Sequence, residues 1–115
     1  MNPKYESLFQ PMKICNLEIK NRFVLEPMEG TNIIEGMAKA KFSEHVHDYY
    51  IERAKNDVGL IIPGMLLLKS MIGNKWAHEQ PKEFEKAKPL IDEIHKYGSK
   101  VFFQIGAGWG RSFTM

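Results

Sequence analysis

The chain has 115 residues, 43% of them hydrophobic and 26% charged, with a formal net charge of +2. That length leaves room for one domain at most, and the composition excludes intrinsic disorder. So mild a balance of scattered charges excludes the basic or acidic blocks that nucleic acid or an acidic membrane would call for.

One cysteine, Cys15, excludes an internal disulfide framework and a cysteine-based zinc site, and fits a reducing compartment. The start, Met1-Asn2-Pro3-Lys4, has no apolar core of a signal peptide. The longest apolar run, Leu60 to Leu68, is interrupted by Pro63 and Gly64 and is too short to span a bilayer. A cytoplasmic protein is expected.

In chain order, residues 1–10 read as irregular, with Leu8 and Phe9 as an apolar plug. Two short runs flank Asn16, a residue that tolerates the left-handed backbone, so a hairpin turn at Cys15-Asn16 is predicted. Ile14, Leu17 and Ile19 would share its buried side. Arg22 to Leu25 reads as a core strand buried on both faces of a parallel sheet. It runs into a turn of Pro27, Met28, Glu29 and Gly30.

Residues 29–42 read as a loop. Ser43 is placed to N-cap a helix of about Glu44 to Asn56, with Val46, Tyr49, Tyr50, Arg53 and Ala54 on one face. Val58 to Ile62 is the second apolar strand and runs into Pro63-Gly64. Residues 66–80 read as a second loop. A second helix is predicted from about Pro81 to Tyr97, with Gly98 as its cap and a stripe of Phe84, Ala87, Leu90, Ile91 and Ile94. Pro89 costs a helix interior roughly 3 kcal/mol, so either a kink or a start near Pro89 is expected. Lys100 to Ile105 is the third strand and meets Gly106-Ala107-Gly108.

The order is strand–helix–strand–helix–strand, which collects the strand C-terminal ends on one edge, where chemistry sits in such folds. The fold class is α/β: a hairpin and about three βα units, the N-terminal portion of a (β/α)8 barrel, which in full takes about 250 residues. Open parallel edges at both ends would favour self-association.

From the residues alone, Pro27 to Gly30 is either an ordinary strand-exit turn or part of a site. Gln104 is a polar residue amid Val-Phe-Phe-Gln-Ile, either facing inward to a partner or bonded to a loop outside. Gly106, Gly108 and Gly110 match no phosphate-loop spacing. His45 and His47 stand two apart on a helix and cannot chelate one metal, and no metal ligands are expected. His78 and His95 read as structural. Tyr49 and Tyr50 read as helix packing. No nucleophile triad or paired carboxylates are seen, and no catalytic residue is assigned.

Leu8-Phe9-Gln10-Pro11-Met12-Lys13-Ile14, Asn16 to Arg22 and Val24-Leu25-Glu26-Pro27-Met28 resemble the opening of the Old Yellow Enzyme family of FMN-dependent NADH:flavin oxidoreductases. Tyr49-Tyr50, Glu52 to Lys55 and Val58 to Ile62 resemble its next helix and strand. Asp92 to Gly98, Phe103-Gln104-Ile105 and Gly110-Arg111 resemble the third unit. The segment Gln104 to Arg111 is one residue longer than the common family form and lacks its histidine. With Gly30-Thr31-Asn32 it leans toward the enoate reductase and dienoyl-CoA reductase-like branch.

The resemblance implies a TIM-barrel domain spanning residues 1–115, truncated at its C-terminal side, with FMN across the strand ends. Pro27, Met28, Glu29, Gly64, Met65 and Gln104 are the implied cofactor-binding residues. Gln104 would meet the pyrimidine edge of the flavin with one donor and one acceptor. Glu29 departs from the small or thiol-bearing residue usual there and would oppose the charge of a reduced flavin. Met65 would crowd the ring or pack as core. The implied reaction is hydride transfer from NAD(P)H to the flavin and on to the β-carbon of a small-molecule activated alkene or enoyl substrate. An iron–sulfur cluster and FAD would belong only to a further region. The chain alone is expected to be inactive; the alternative is a non-catalytic barrel fragment without cofactor.

Overall fold

A computed structural model of the chain describes residues 2–107. The chain opens with a 3-10 helix, Pro3–Phe9, where the sequence predicts irregular structure. Its cause is local: the Asn2 side chain accepts from the Lys4 N–H at 3.0 Å, and Pro3 occupies the first helical position, where its fixed φ fits. Strands β1 (Met12–Ile14) and β2 (Leu17–Ile19) then pair antiparallel, Ile14 opposite Leu17. The predicted turn at Cys15-Asn16 is present, but the left-handed residue is Cys15, at φ 52°. Ile19 is buried, and Ile14 and Leu17 are half-buried on the same side.

The core sheet has three parallel strands in the order β3 (Val24–Leu25), β6 (Leu60–Ile61), β8 (Lys100–Val101). Helix α1 (His47–Lys55) precedes β6, and α2 (Pro81–Lys96) precedes β8. Tyr50, Ile51 and Ala54 of α1 and Ala87, Leu90 and Ile94 of α2 join Ile61 in one buried cluster. Arg53 stays at its rim, with its guanidinium 3.6 Å from the centre of the Tyr49 ring. A 3-10 turn, Glu44–Val46, leads into α1. Ser43 stands at the predicted cap position but makes no side-chain capping bond; its N–H donates instead to the Ile33 carbonyl at 2.9 Å.

Helix α2 runs unbroken through Pro89, starting at Pro81 and not near Pro89. Leu90 and Ile94 are fully buried, each worth about 1.5–3 kcal/mol, which offsets the roughly 3 kcal/mol that an interior proline costs. Gly98, at φ +79°, closes the helix by donating to the His95 carbonyl at 2.9 Å.

Both predicted loops contain strands. Residues 29–42 hold an antiparallel pair, β4 (Ile34–Glu35) and β5 (Lys41–Phe42), and residues 66–80 hold β7 (Leu66–Leu67) and a 3-10 turn, Ala77–Glu79. The third predicted strand is split. Its start is β8, and its end, β9 (Ile105–Gly106), pairs in parallel with β7. Two-residue strands are too short to show an alternating pattern, so periodicity does not reveal them.

The first strand is not buried on both faces: Val24 is 41% exposed, because β3 is an edge of the sheet. β8 forms the other edge, and Phe102, Phe103 and Ile105 beyond it are also exposed. The described residues thus form an open α/β layer and not a closed barrel. No described helix is long and apolar enough to cross a membrane.

Candidate functional site

The site begins where β3 and β6 part. Their last paired residues are Leu25 and Ile61, followed by an N–H bond from Ile62 to the Leu25 carbonyl at 2.9 Å. The two chains meet again at a single bridge between Asn32 and Gly64. Six residues of the first strand's exit, 26–31, therefore stand opposite two of the second, 62–63. The surplus projects outward as Pro27-Met28-Glu29-Gly30. Gly30 turns the chain back at φ +83°, a left-handed value that glycine adopts without a steric penalty.

Side chains hold the base of this excursion. The Thr31 hydroxyl donates to the Met28 carbonyl at 2.7 Å, and the Asn32 amide donates to the Met65 carbonyl at 2.5 Å. The Tyr50 hydroxyl, reaching up from α1, donates to the Thr31 carbonyl. Burial pushes the Tyr50 phenol above its ordinary range, against a smaller opposing pull from the neighbouring Thr31 side chain and Gly64 main chain. Gly64 fits because a β-carbon there would stand 2.5 Å from the Met28 carbonyl oxygen and 2.9 Å from the Asn32 nitrogen.

The third exit joins through β7 and β9, where the Leu66 N–H donates to the Gln104 carbonyl at 2.8 Å. Met65 packs directly over Gly106, leaving no room for a side chain there. The result is a cavity of about 440 Å³ lined by Pro27, Met28, Glu29, Met65 and Gln104. Five of the six residues singled out in the sequence share this wall. The sixth, Gly64, supports it from behind against Met28 and Asn32. Gly108, Gly110 and Arg111, also noted in the sequence, lie outside the described residues.

The remaining side chains around the cavity were not foreseen. The rest of the lining includes Glu35, Gly36, Met37, Ser43, His45, Leu67 and Met71. Backbone bonds tie its two halves together, from Met71 to Gly36 at 2.9 Å and from Ile72 to Met37 at 2.8 Å. The signal in the sequence is thin: Gly73 is needed because a side chain would strike the Ala38 carbonyl. His45, read as structural, is part of that lining.

Among the described residues, the N–H groups of Met28, Glu29 and Gly30 and the carboxamide of Gln104 meet no protein partner. The residues lining the cavity thus include three whose main-chain N–H groups meet no described partner, one amide carrying donor and acceptor together, and four methionine thioethers as a soft apolar surface, beside the Glu29 and Glu35 carboxylates and His45. Other titratable groups lie elsewhere. His47 bridges the helices, 3.0 Å from Asp48 and 3.2 Å from Glu93, and these carboxylates raise its pKa, Asp48 most, against a smaller effect of burial. Cys15 is exposed at the hairpin turn. No group of three or more potential metal ligands forms among the described residues.

Residues 7–114 match the model of the NADH:flavin oxidoreductase / NADH oxidase family. The chain is 33% identical over 118 residues to a cinnamate reductase of Clostridium sporogenes, covering 96% of this chain and 17% of that protein. It is 33% identical over 105 residues to an NADH oxidase of Thermoanaerobacter brockii, covering 88% of this chain and 16% of that protein. The crystal structure of an Old Yellow Enzyme from a Pichia species superposes with a TM-score of 0.66 at 26% identity, over 86% of this chain and 26% of the other. The chain thus spans about a quarter or less of the length of these relatives, and the part it matches is the N-terminal part of their barrel. The parallel strands with their exits gathered around one cavity, and the match over almost all of the sequence, lead to one conclusion: the chain belongs to the NADH:flavin oxidoreductase / NADH oxidase family.

Proposed function

We propose that this chain supplies the first three strand exits of an FMN site, in a cytoplasmic oxidoreductase that reduces activated carbon–carbon double bonds of small enoate or enone substrates. The observation that carries this reading is that Met28, Glu29 and Gly30, whose amides meet no partner among the described residues, line one cavity with Gln104, whose carboxamide meets none there either. Their chemistry suits the polar atoms of a flavin ring, which need fixed donors and one acceptor.

When bound, FMN supplies the hydride chemistry, accepting a hydride from NAD(P)H and passing it to the β-carbon of the alkene. The residues of this chain bind and orient. Pro27 restricts the backbone just before the free amides. Met28 and Met65 offer polarizable contact to a flat ring. The Glu29 carboxylate opposes added negative charge and so disfavours the reduced cofactor. Gly64 contributes by letting the second exit come close to the first. The similarity to a cinnamate reductase supports an enoate-type substrate. The chain assembles one part of the site, so it is expected to bind without turnover when alone.

A second reading is a cofactor-free barrel fragment that self-associates. It is favoured by the exposure of Val24, Phe102, Phe103 and Ile105, the last 62% exposed, beside open strand edges. The visible spectrum of the purified chain after addition of FMN and gel filtration separates the two. A retained, perturbed flavin spectrum at near-equimolar occupancy supports the first. A colourless protein of high mass supports the second and overturns the first.

A further inference from the structure

The first two strand exits meet at the Asn32–Gly64 bridge and then diverge. The first enters β4, which pairs with β5, and the second enters β7, which pairs with β9. Met65 is the single residue between the bridge and β7. Its carbonyl accepts from the Asn32 side-chain amide at 2.5 Å, a bond between residues 33 apart in sequence. One bridge matches two chains at a point and leaves them free to splay beyond it. A second bond, one residue further along the second chain, closes that freedom.

Met65 in turn holds the third exit. A β-carbon at Gly106 would stand 2.3 Å from the Met65 Sδ, so the thioether rests on bare backbone of β9. The next residue, Leu66, donates its N–H to the Gln104 carbonyl at 2.8 Å. On the other side of the bond, Thr31 precedes Asn32 and holds the Met28 carbonyl through its hydroxyl and its N–H. One carboxamide thus joins the segment that carries Met28, Glu29 and Gly30 to the segment that carries Gln104. Its orientation follows from its partner: a carbonyl only accepts, so the nitrogen must face it.

We propose that Asn32 is a positioning residue, its side-chain amide clamping the second exit to the first at Met65 and so setting the spacing between Met28–Gly30 and Gln104, which line the same cavity. The effect on cofactor binding rests on the proposed FMN site; the clamp itself does not.

The test compares the full chain with its Asn32→Asp variant, which keeps the shape and loses the donor. An ionised carboxylate repels the Met65 carbonyl, whereas a protonated one donates to it again. FMN should bind the variant about tenfold more weakly than the wild type at about pH 7, and the gap should close as the pH falls toward about 4. Glu29, Glu35 and His45 line the same cavity and titrate in both chains, so the difference between the two profiles isolates position 32. A gap that does not change with pH, or no gap, would make Asn32 a structural residue only and overturn the proposal. Without cofactor, the Met65 and Gln104 resonances should move in the variant while Ala54 in α1 and Ile94 in α2 stay; equal shifts at all four would refute the clamp. If the variant does not fold, the wild-type chain decides: a scalar coupling across the bond from Asn32 Nδ2 to the Met65 carbonyl carbon supports the clamp, and its absence refutes it. If the wild-type chain binds no FMN, the functional reading fails while the resonances and the coupling still judge the clamp.

Discussion

The helix-covered side of the sheet and its strand-exit edge are held together by different forces. On the helix side, Tyr50, Ile51, Ala54, Leu90 and Ile94 bury their side chains against Ile61. Each large aliphatic residue so buried contributes about 1.5–3 kcal/mol. At the exit edge, Met28, Glu29 and Gly30 are exposed, and the local structure rests on side-chain bonds to backbone carbonyls at Met28, Thr31 and Met65. Each such bond contributes a net of about 0.5–1.5 kcal/mol. Stability and site geometry therefore reside in different layers. Tyr50 is the residue that belongs to both.

That separation predicts which changes unfold the chain and which only disable the cavity. The largest effect is expected from Ile94→Ala. It leaves a void under the sheet and should cost about 2–5 kcal/mol, read as a lower urea midpoint. In a domain whose total stability is about 5–15 kcal/mol, such a loss is severe. Gln104→Leu at the exit edge should do the reverse. Its side chain is exposed and bonds to no described residue, so the urea midpoint should hardly move while FMN binds about tenfold more weakly. If both variants lowered stability equally, the separation of layers would be wrong.

A smaller effect is expected from Glu29→Gln. Removing a charge worth on the order of 1 kcal/mol against a reduced flavin should raise the two-electron potential of bound FMN by about 20 mV. Spectroelectrochemical titration reads this directly, and a fall in potential would contradict the assigned role. The smallest effect is at His47, in the helix layer. Its pKa is raised from 6.5 by Asp48 and Glu93, so its contribution is complete below pH 6.5 and is lost as pH rises through the folded value. The group is solvated, so the amount is under about 1 kcal/mol. His47→Gln should flatten the pH dependence of the urea midpoint across that window and leave FMN affinity unchanged.

The two layers also differed in how far they could be read from the sequence. The helices were legible because their signals are local: Tyr50 with Ala54, and Ala87 with Leu90 and Ile94, recur at helical spacing, and Gly98 marks an end. A helix start near Pro89, one of the two alternatives, does not occur, because the burial of Leu90 and Ile94 offsets the proline's propensity cost. The exit edge was legible from the residues only where an apolar strand ran into a turn at Pro27 to Gly30 and where Gln104 broke an apolar run; Gly64 and Met65 were singled out by the family resemblance. Met37, Ser43, His45 and Met71 were not legible, because residues 36–37 reach the cavity by pairing with residues 71–72 far along the chain. The strand pair of Leu66 with Ile105 is equally remote in sequence. Tyr50 showed its apolar ring in the pattern but not the destination of its hydroxyl, which depends on the mismatch of six residues against two.

The central claim is that the donors of the first and third strand exits, which meet no partner among the described residues, receive FMN. Titrating FMN into isotopically labelled chain and following amide resonances tests it most directly. The account predicts saturable shifts at the main-chain amides of Met28, Glu29 and Gly30 and at the side-chain amide of Gln104, with α1 and α2 unmoved. Shifts confined to the open edges near Val24 and Phe102, or no saturable shift at all, would contradict it.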